Sequence, residues 1–587
     1  MHKIKRMTAA GLAAIMCFSM AGCAGNEKLK SFSEFCDDEF RETIESDSFT
    51  AHYTVSDLSE YGIEFDDDDY TLGEISWDDL KNGEKEIKKE LKRLYQYNRK
   101  DLTEDEQITY DCLESYFLTQ QELAKWYKME NLFAVHSGMA ANLSTNFIEY
   151  SFYKQDDVDH YLMYVKDVPR YVEQVCDITR KQAEEGYFMP DKVADLVIEQ
   201  CEQYLDSEDD PLIDSFNAKI ETLGLSESEK KEYISRNEEY VREYFQPSYQ
   251  MMIDLMEELK GTAKNQGGLA GFGDEGKKYY EAIVKDKTSS DYSVDEIKDM
   301  LDDAASDILK QASAILMVDY DCYEEALSYQ PDMDDPEEVL EFLINNIKND
   351  FPNPVTLDYN IEYQSKACEV EGTIAYYMPC RIDDTSVNNM KVNGSAVEGN
   401  SMMLYTTLAH EGYPGHLYEF TWFYDNDDVP DVRKLLDFIG ATEGWAEYVS
   451  GCVLDYLELS DNAATMYELN EFLTYVVISR LDIGVNYEGW DLDDAYDYLS
   501  SYFQVDDNYD DEDNVVSSLY YEVVGDPGVY LPYTLGHMFM NDMREKAEKE
   551  LGSSFDAKEY HEWLMNVGVA PFSVYDKELD KWLAEEK

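Results

Sequence analysis

The apolar residues of this chain recur mostly at helical spacing. From Phe35 to about Ile347, apolar positions three and four residues apart alternate with charged and polar ones, which is the pattern of amphipathic helices. Ile87, Leu91 and Leu94 mark one such face. Long helices joined by short polar turns are therefore expected over this part of the chain.

Capping and turn-forming residues predict where several of these helices begin and end. Thr103 and Glu106 have the spacing of a capping box at a helix start. Residues 186–190 separate two helical runs, and the glycine-rich segment 267–276 is expected to form a loop or hinge. No fixed-period repeat indicates a solenoid.

The pattern changes after Asp350. Residues 351–354 read Phe-Pro-Asn-Pro, which breaks a helix, and residues 374–378 and 390–392 have strand-like composition. Helical patterning resumes at Ser401 and continues with interruptions to the end of the chain. We expect a mainly α fold with a small β-sheet beside the helix that begins there.

The amino-terminal residues are typical of a secretory signal. Lys3, Lys5 and Arg6 precede an apolar run from residue 9 to residue 20, which is too short to span a membrane. Small residues directly before Cys23 are typical of a bacterial lipoprotein signal. We expect residues 1–22 to be removed and Cys23 to carry lipid. An ordinary secretory signal followed by an incidental cysteine is the alternative.

A lipid on Cys23 would hold the mature protein outside the cytoplasm, on the cell membrane, without a spanning helix. Residues 23–34 would then be a polar tether. The formal net charge is −77, and it becomes −80 without residues 1–22, which hold three basic residues and no acidic ones. Such a charge argues against nucleic acid or an anionic lipid surface as a partner, so membrane contact is expected through the lipid alone.

The segment from Leu408 to His416 carries the main candidate chemistry. His410 is followed directly by Glu411, and His416 comes six residues after the first histidine. Imidazoles that hold zinc, with a carboxylate that activates a water, are the grouping of zinc hydrolases. Six residues correspond to roughly 600° of helical rotation, so one unbroken helix cannot present both rings to one ion.

A break between the two histidines resolves this mismatch. Pro414 and Gly415 tend to end a helix and reverse the chain, which would bring His416 back towards the metal. We therefore expect His410 and Glu411 at the end of a helix that stops at Pro414, and His416 in the turn that follows.

A zinc site of this type needs a third ligand. Glu443 lies 27 residues beyond His416, which leaves room for a turn and a returning helix. Gly444 and Trp445 follow it, a small and a bulky residue of the kind found where helices pack closely. Glu447 lies one helical turn further on the same face, and it could be the ligand or a partner of a ligand instead. Glu443 is the favoured choice.

Further residues are candidates for proton transfer and substrate contact. Glu411 is expected to act as the general base and then as the proton donor to the leaving amine. Tyr533 and His537 are candidate donors to the developing oxyanion or to the substrate. Metallopeptidases commonly run an edge strand beside the metal, where an extended peptide can pair, so Tyr376 and Tyr377 are candidate substrate-binding residues.

Several of these segments together resemble a known family. Residues 410–416, 443–446, 526–536 and 568–571 are similar, in order and spacing, to the bacterial proteins of the domain of unknown function 885 family. The resemblance extends more weakly to the helices from about residue 90. It implies a mostly helical fold related to zinc metallopeptidases with a glutamate third ligand. From the length of the chain and the change of pattern after Asp350, we expect two lobes, with residues 35–350 as the amino-terminal helical lobe and residues 351–587 as the catalytic lobe.

The resemblance also assigns roles residue by residue. His410, His416 and Glu443 match the zinc ligands, Glu411 matches the base, and Tyr533 matches a tyrosine that suits the oxyanion. These roles are implied by the family pattern.

The segment that begins at Arg480 looks like a family segment as well, which makes Arg480 a candidate substrate contact. The chain departs from the pattern at Asn486 and Leu417, where the family often has histidines, and at Ser450, where it often has a glutamate.

These features predict a lipid-anchored zinc hydrolase outside the cytoplasm, a peptidase that acts on short peptides in a cleft between helical lobes. Two alternatives remain open at the level of sequence. One is a lipoprotein that binds peptides or another ligand without turnover. The other is a metal-dependent hydrolase of a non-peptide amide or ester.

Overall fold

The structure is a computed structural model that describes residues 29–207, 210–364, 366, 368, 373–397, 399–505 and 514–586. The predicted signal peptide and Cys23 lie outside the described residues. Among the described residues, no helix combines the length and the apolar character needed to cross a membrane.

The chain is mainly helical, as its pattern predicts. The α-helices are α1 Phe32–Glu45, α2 Ser48–Thr54, α3 Trp77–Leu94, α4 Glu104–Leu123, α5 Met139–Glu149, α6 Gln155–Glu185, α7 Asp191–Leu205, α8 Pro211–Thr222, α9 Glu227–Tyr240, α10 Gln246–Leu259, α11 Asp274–Thr288, α12 Val294–Val318, α13 Asp321–Ser328, α14 Pro336–Asn346, α15 Gly394–Val397, α16 Ser401–Glu411, α17 His416–Asp425, α18 Asp431–Lys434, α19 Ile439–Cys452, α20 Asp461–Ile483, α21 Leu492–Leu499, α22 Val515–Gly525, α23 Leu531–Leu551, α24 Ala557–Val567 and α25 Phe572–Glu585.

Local signals fix several helix ends. The amide of Thr103 donates to the Glu106 carboxylate at 2.9 Å, and the amide of Glu106 donates to the Thr103 hydroxyl at 3.3 Å, so the predicted capping box is confirmed. Helix α16 begins at Ser401 as predicted. Ser31 caps α1, which starts at Phe32, within the last residues of the predicted tether 23–34; the tether itself stays a prediction.

The predicted small sheet is present, and in the described part of the chain it has three strands: β1 Asn360–Tyr363, β2 Ala375–Met378 and β3 Asn389–Val392. Their order is β1-β3-β2, with β1 and β3 parallel and β2 and β3 antiparallel. The pattern did not predict β1, whose residues are mostly exposed. Strand β2 lies at the edge of the sheet and packs against α16.

Within the residues that the structure describes, two large hydrophobic cores hold the helices together. One contains Leu94, Leu408 and Leu583, and the other contains Val165 and Leu481. Each core draws residues from both sides of residue 350. The division into lobes at that residue therefore stays a prediction, and it does not coincide with a division between the cores.

Candidate metal centre

The segment between the two candidate histidines joins two helices. Helix α16 ends at Glu411, and α17 begins at His416 itself. This corrects the expectation that the helix runs to Pro414 and that His416 lies in the turn. The helix stops earlier because Gly412 has a ψ of −103°, outside the helical range.

Gly415 lets the chain double back tightly. A Cβ at this position would lie 1.8 Å from the carbonyl oxygen of His410, so only glycine fits so close to the end of α16. The Tyr413–Pro414 peptide bond in the same turn is cis. The tight reversal at Gly415 places His416 on the side of His410, although His416 comes six residues later in the chain.

A close helix crossing brings the candidate third ligand to the same place. Glu443 is fully buried on α19, which packs against α23 through glycines. A Cβ on Gly444 would lie 2.5 Å from the backbone of Gly536. The indole Nε1 of Trp445 donates to the carbonyl of Pro414 at 3.0 Å and ties α19 to the turn between the histidines. The two residues after Glu443 thus act as close-packing residues, as predicted.

The three candidate ligands converge. The Nε2 atoms of His410 and His416 each lie 3.4 Å from Oε2 of Glu443. Two ligands about 2.0–2.1 Å from a tetrahedral zinc ion are themselves roughly 3.3 Å apart, so these separations suit a single ion. The two imidazole planes are at 88° to each other. Two imidazoles and a carboxylate are a donor set that fits zinc.

Each histidine has a further carboxylate at its other ring nitrogen. His410 Nδ1 lies 3.2 Å from Oε1 of Glu447, and His416 Nδ1 lies 3.7 Å from Oε2 of Glu419. Burial alone would lower the pKa of His410, but the neighbouring carboxylates of Glu443 and Glu447 outweigh it and raise the pKa to about 9. The pocket therefore favours positive charge.

Glu411 is held by the edge strand. The backbone amide of Tyr377 in β2 donates to Oε2 of Glu411 at 3.0 Å, and Oε1 lies 3.9 Å from Nε2 of His410. Suitable donor atoms of His410, Glu411 and His416 all fall within 4.8 Å of one another. The carboxylate is thus anchored through one oxygen while the other faces the ligand group.

Aromatic residues of α20 and α23 complete the surroundings. The ring of Tyr533 lies 6.4 Å from that of His410, and the ring of Tyr475 stacks 5.9 Å from Tyr533. His537 packs 4.6 Å from Phe472. Burial lowers the pKa of His537 to about 4 despite the opposing charge of Glu447, so this imidazole is neutral at pH 7.

Comparison with known proteins assigns the chain to a family. The family described as "Bacterial protein of unknown function (DUF885)" matches residues 57–579, which is most of the chain. The chain belongs to the DUF885 family. The resemblance seen in its motifs is thereby confirmed. No curated protein matches this DUF885 chain.

Two solved structures share the fold. One, from Colwellia psychrerythraea, is described as a "putative lipoprotein"; it is 17% identical, with a TM-score of 0.76, and the match covers 94% of this chain and 100% of that one. The other is described as a "putative lipoprotein of unknown function" from Shewanella oneidensis. It is 16% identical with a TM-score of 0.62, over 94% of this chain and 100% of its own.

Within this DUF885 fold, the predicted substrate tyrosines have hydrogen-bonding partners in the body of the protein. The Tyr376 hydroxyl donates to Glu149 at 2.8 Å, and the Tyr377 hydroxyl donates to Asn388 at 2.7 Å. The backbone of Tyr377, rather than its side chain, reaches the candidate metal centre. The role of both residues in substrate binding stays a prediction.

Arg480 is also engaged in a local network. Its Nε donates to Asp302 at 3.1 Å, one terminal nitrogen lies 2.8 Å from Glu488, and the guanidinium lies 4.7 Å from the centre of the Trp490 ring. These contacts tie α20 to α12 and to the segment after α20. Substrate contact by Arg480 stays a prediction.

The departures from the DUF885 pattern have structural roles. The Asn486 side chain accepts from the amide of Leu269 at 3.0 Å and donates to the carbonyl of Val523 at 2.8 Å. Leu417 is fully buried in the first core, and the hydroxyl of Ser450 donates to the carbonyl of Glu447 at 2.9 Å. All three positions contribute to packing or to backbone hydrogen bonding.

Proposed function

We propose that this DUF885 protein is a zinc-dependent hydrolase of short peptides, with His410, His416 and Glu443 as the ligands. The observation that carries the proposal is the convergence of both Nε2 atoms on one oxygen of Glu443, at 3.4 Å each. His410 is 3% exposed and His416 is 1% exposed, and this burial keeps competing water away from their ring nitrogens. Zinc, when bound there, supplies the positive charge that polarises a carbonyl group and acidifies a water molecule.

Glu411 would perform the proton transfers. The amide of Tyr377 fixes one of its oxygens at 3.0 Å, which leaves the other directed towards the ligand group. Its carboxylate takes a proton from the attacking water as the new C–O bond forms. It then delivers that proton to the leaving nitrogen as the C–N bond breaks. Tyr533, next to His410, would donate to the oxygen that gains negative charge.

The edge position of β2 supports a peptide as the substrate. The backbone amide of Tyr377 donates to Glu411 and therefore points away from β3, towards the open edge of β2. An extended peptide laid along this edge would place its own amide groups next to Glu411. A sheet edge recognises a backbone rather than particular side chains, so this geometry favours peptides over other amides.

We further propose that the protein acts outside the cytoplasm, held to the membrane by lipid on Cys23. Support comes from the signal pattern before Cys23 and from two proteins of the same fold that are described as putative lipoproteins. Labelling of cells with an alkyne fatty acid tests this proposal. Wild type is expected to carry the label and Cys23→Ser to lack it, and an unlabelled wild type would contradict it.

A peptide-library digest tests the catalytic proposal. The mature protein loaded with one zinc per chain is expected to cleave library members, and Glu411→Gln is expected to cleave them about 10²–10⁴ times more slowly while it retains its zinc. The variant keeps the size of the side chain and changes only its ability to accept a proton. Zinc-loaded wild type that cleaves no peptide would contradict the proposal.

A further inference from the structure

The two ring nitrogens of each candidate ligand histidine face two different glutamates. The Nε2 atoms of both rings point to Glu443, at 3.4 Å. The Nδ1 atoms point outwards, to Glu447 from His410 and to Glu419 from His416, at 3.2 Å and 3.7 Å. The same arrangement thus occurs twice, on two histidines that sit on different helices.

We infer that Glu447 and Glu419 are positioning residues that hold the proton of each imidazole on Nδ1 and so direct the Nε2 lone pairs to one metal ion. This inference rests on the proposed function. A neutral imidazole carries one proton, and the nitrogen that donates a hydrogen bond cannot also bind a metal. A carboxylate at Nδ1 therefore selects the tautomer and makes Nε2 a stronger ligand.

The spacing of the residues along their helices produces this arrangement. Glu447 lies one turn after Glu443 on α19, so both carboxylates lie on the face of α19 that meets His410. Glu419 lies three residues after His416 on α17. The same helices that carry the ligands thus carry their partners, and one helical turn separates the two roles.

Burial argues that these carboxylates are there for a cation. Glu419 is 6% exposed and Glu447 is 8% exposed. A buried carboxylate is costly unless a partner compensates it, and Glu443 lies fully buried beside both histidines. With a metal ion on their Nε2 atoms, the Nδ1–H groups of both histidines would become more positive and would compensate the two outer carboxylates.

The two positioning residues are not equivalent. The 3.2 Å distance from His410 Nδ1 to Glu447 is at the upper end of hydrogen-bonding distances, whereas the 3.7 Å distance from His416 Nδ1 to Glu419 is beyond it. Glu447 is therefore expected to contribute more to metal affinity than Glu419. Glu447 also faces Nδ1 and not Nε2, which is why Glu443 rather than Glu447 is assigned as the ligand.

Zinc affinity, measured by competition with a chelator, tests the inference. Glu447→Gln is expected to weaken zinc binding by about 10-fold, because an amide oxygen still accepts from Nδ1, and Glu447→Leu by about 100-fold, because no acceptor remains. Glu419→Gln is expected to have a smaller effect than Glu447→Gln. The matched control is Glu468→Gln. Glu468 is a half-buried carboxylate on α20 that lies against Gly451 of α19, the helix that carries Glu447.

Two further measurements separate positioning from a purely structural role. The cobalt-loaded variants should absorb differently from cobalt-loaded wild type, because reoriented imidazoles change the ligand field. Urea unfolding of the metal-free variants should reveal any general loss of stability. An unchanged cobalt spectrum, with affinity lost only in proportion to stability, would overturn the inference.

The outcomes also distinguish this inference from the proposed function. If wild type binds no zinc, both fail. If wild type binds zinc at one per chain and Glu447→Leu and Glu419→Gln bind it equally well, the proposed ligands stand and the positioning roles are overturned. Graded weakening in the order stated, with Glu468→Gln unchanged, supports both.

Discussion

Two buried histidines of this protein contact helix α19, but one contacts a carboxylate there and the other a hydroxyl. His410 meets Glu447 of that helix, and His561 meets the next residue, Tyr448. Both rings are almost inaccessible, at 3% and 1% exposure. His561 Nε2 lies 2.7 Å from the Tyr448 hydroxyl, and its Nδ1 lies 2.6 Å from the carbonyl of Asp350. Burial is therefore the same in the two cases, while the partners differ.

The partners decide the charge of each ring. Burial lowers the pKa of His561 to about 3, because the hydrogen bond to the Asp350 carbonyl compensates a proton only in part and the positive charge of Arg544 opposes it. At His410 the same burial is outweighed by Glu443 and Glu447, and the pKa rises to about 9. A buried histidine whose hydrogen-bonding partners are a hydroxyl and a carbonyl acts as a packing residue, whereas one buried beside carboxylates belongs to a site suited to a cation.

The largest expected effect is a difference in zinc content between a variant of His410 and a variant of His561. His410→Ala removes one of three proposed ligands and is expected to abolish stoichiometric zinc binding, whereas His561→Gln is expected to retain one zinc per chain. Elemental analysis after dialysis measures both. Equal zinc in the two variants would remove the contrast and with it the proposed ligand set.

The sequence alone separates these two histidines only in part. His410 could be predicted as a ligand because Glu411 and His416 both stand close to it in the chain, whereas His561 is followed by Glu562 but has no second histidine close to it. From the sequence, the prediction of Glu443 as the third ligand rests on a family resemblance and on Gly444, which follows it in the chain. The close approach of Gly444 to Gly536 depends on a residue 92 positions away in sequence, which no local pattern reports.

Other parts of the site could not be predicted for physical reasons. The group that holds Glu411 is the amide of Tyr377, and every residue except proline has such a group, so the sequence cannot single it out. Glu419 gave one usable signal, since it follows His416 at helical spacing. The spacing is informative only if His416 and Glu419 lie on one helix. Pro414 instead predicted that His416 lies in a turn, whereas α17 begins at His416.

The next largest effect concerns stability. His561→Ala removes a ring that stacks on Phe351 with centroids 4.1 Å apart, and it leaves the Tyr448 hydroxyl and the Asp350 carbonyl without that partner. We expect a loss of about 3–5 kcal/mol in the free energy of unfolding. Urea unfolding at constant zinc content measures it. His160→Ala, a half-buried ring stacked on Tyr70, is the control, and an equal loss there would contradict the account.

A smaller effect tests whether the two sides of α19 are independent. Gly444→Ala would place a Cβ 2.5 Å from the backbone of Gly536, so α19 and α23 must separate. We expect a loss of up to about 3 kcal/mol together with weaker zinc binding, because Glu443 moves with the helix. Gly451→Ala, on the same helix as Gly444, is the control, since its Cβ would meet only the side-chain carboxylate of Glu468 on α20, at 3.2 Å from the nearer oxygen. Unchanged zinc affinity in Gly444→Ala would show that Glu443 does not depend on the crossing.

The smallest expected effect uses pH to isolate His561. In the unfolded chain a histidine has a pKa near 6.5 and gains a proton below it, whereas folded His561 stays neutral down to about pH 3. The folded state then binds fewer protons than the unfolded state, so the contribution of His561 to stability falls as the pH drops below 6.5.

In His561→Gln, the side chain at this position cannot take up a proton. The contributions of the other titrating groups to the pH dependence of stability cancel when this variant is compared with wild type. The stability advantage of wild type over this variant is expected to shrink by about 2 kcal/mol between pH 7 and pH 5, at 1.36 kcal/mol per pH unit below the unfolded pKa. Urea unfolding of both proteins at several pH values measures the difference. A constant difference would mean that His561 gains a proton in the folded state as readily as in the unfolded state, and its neutral partners would then not distinguish it from His410.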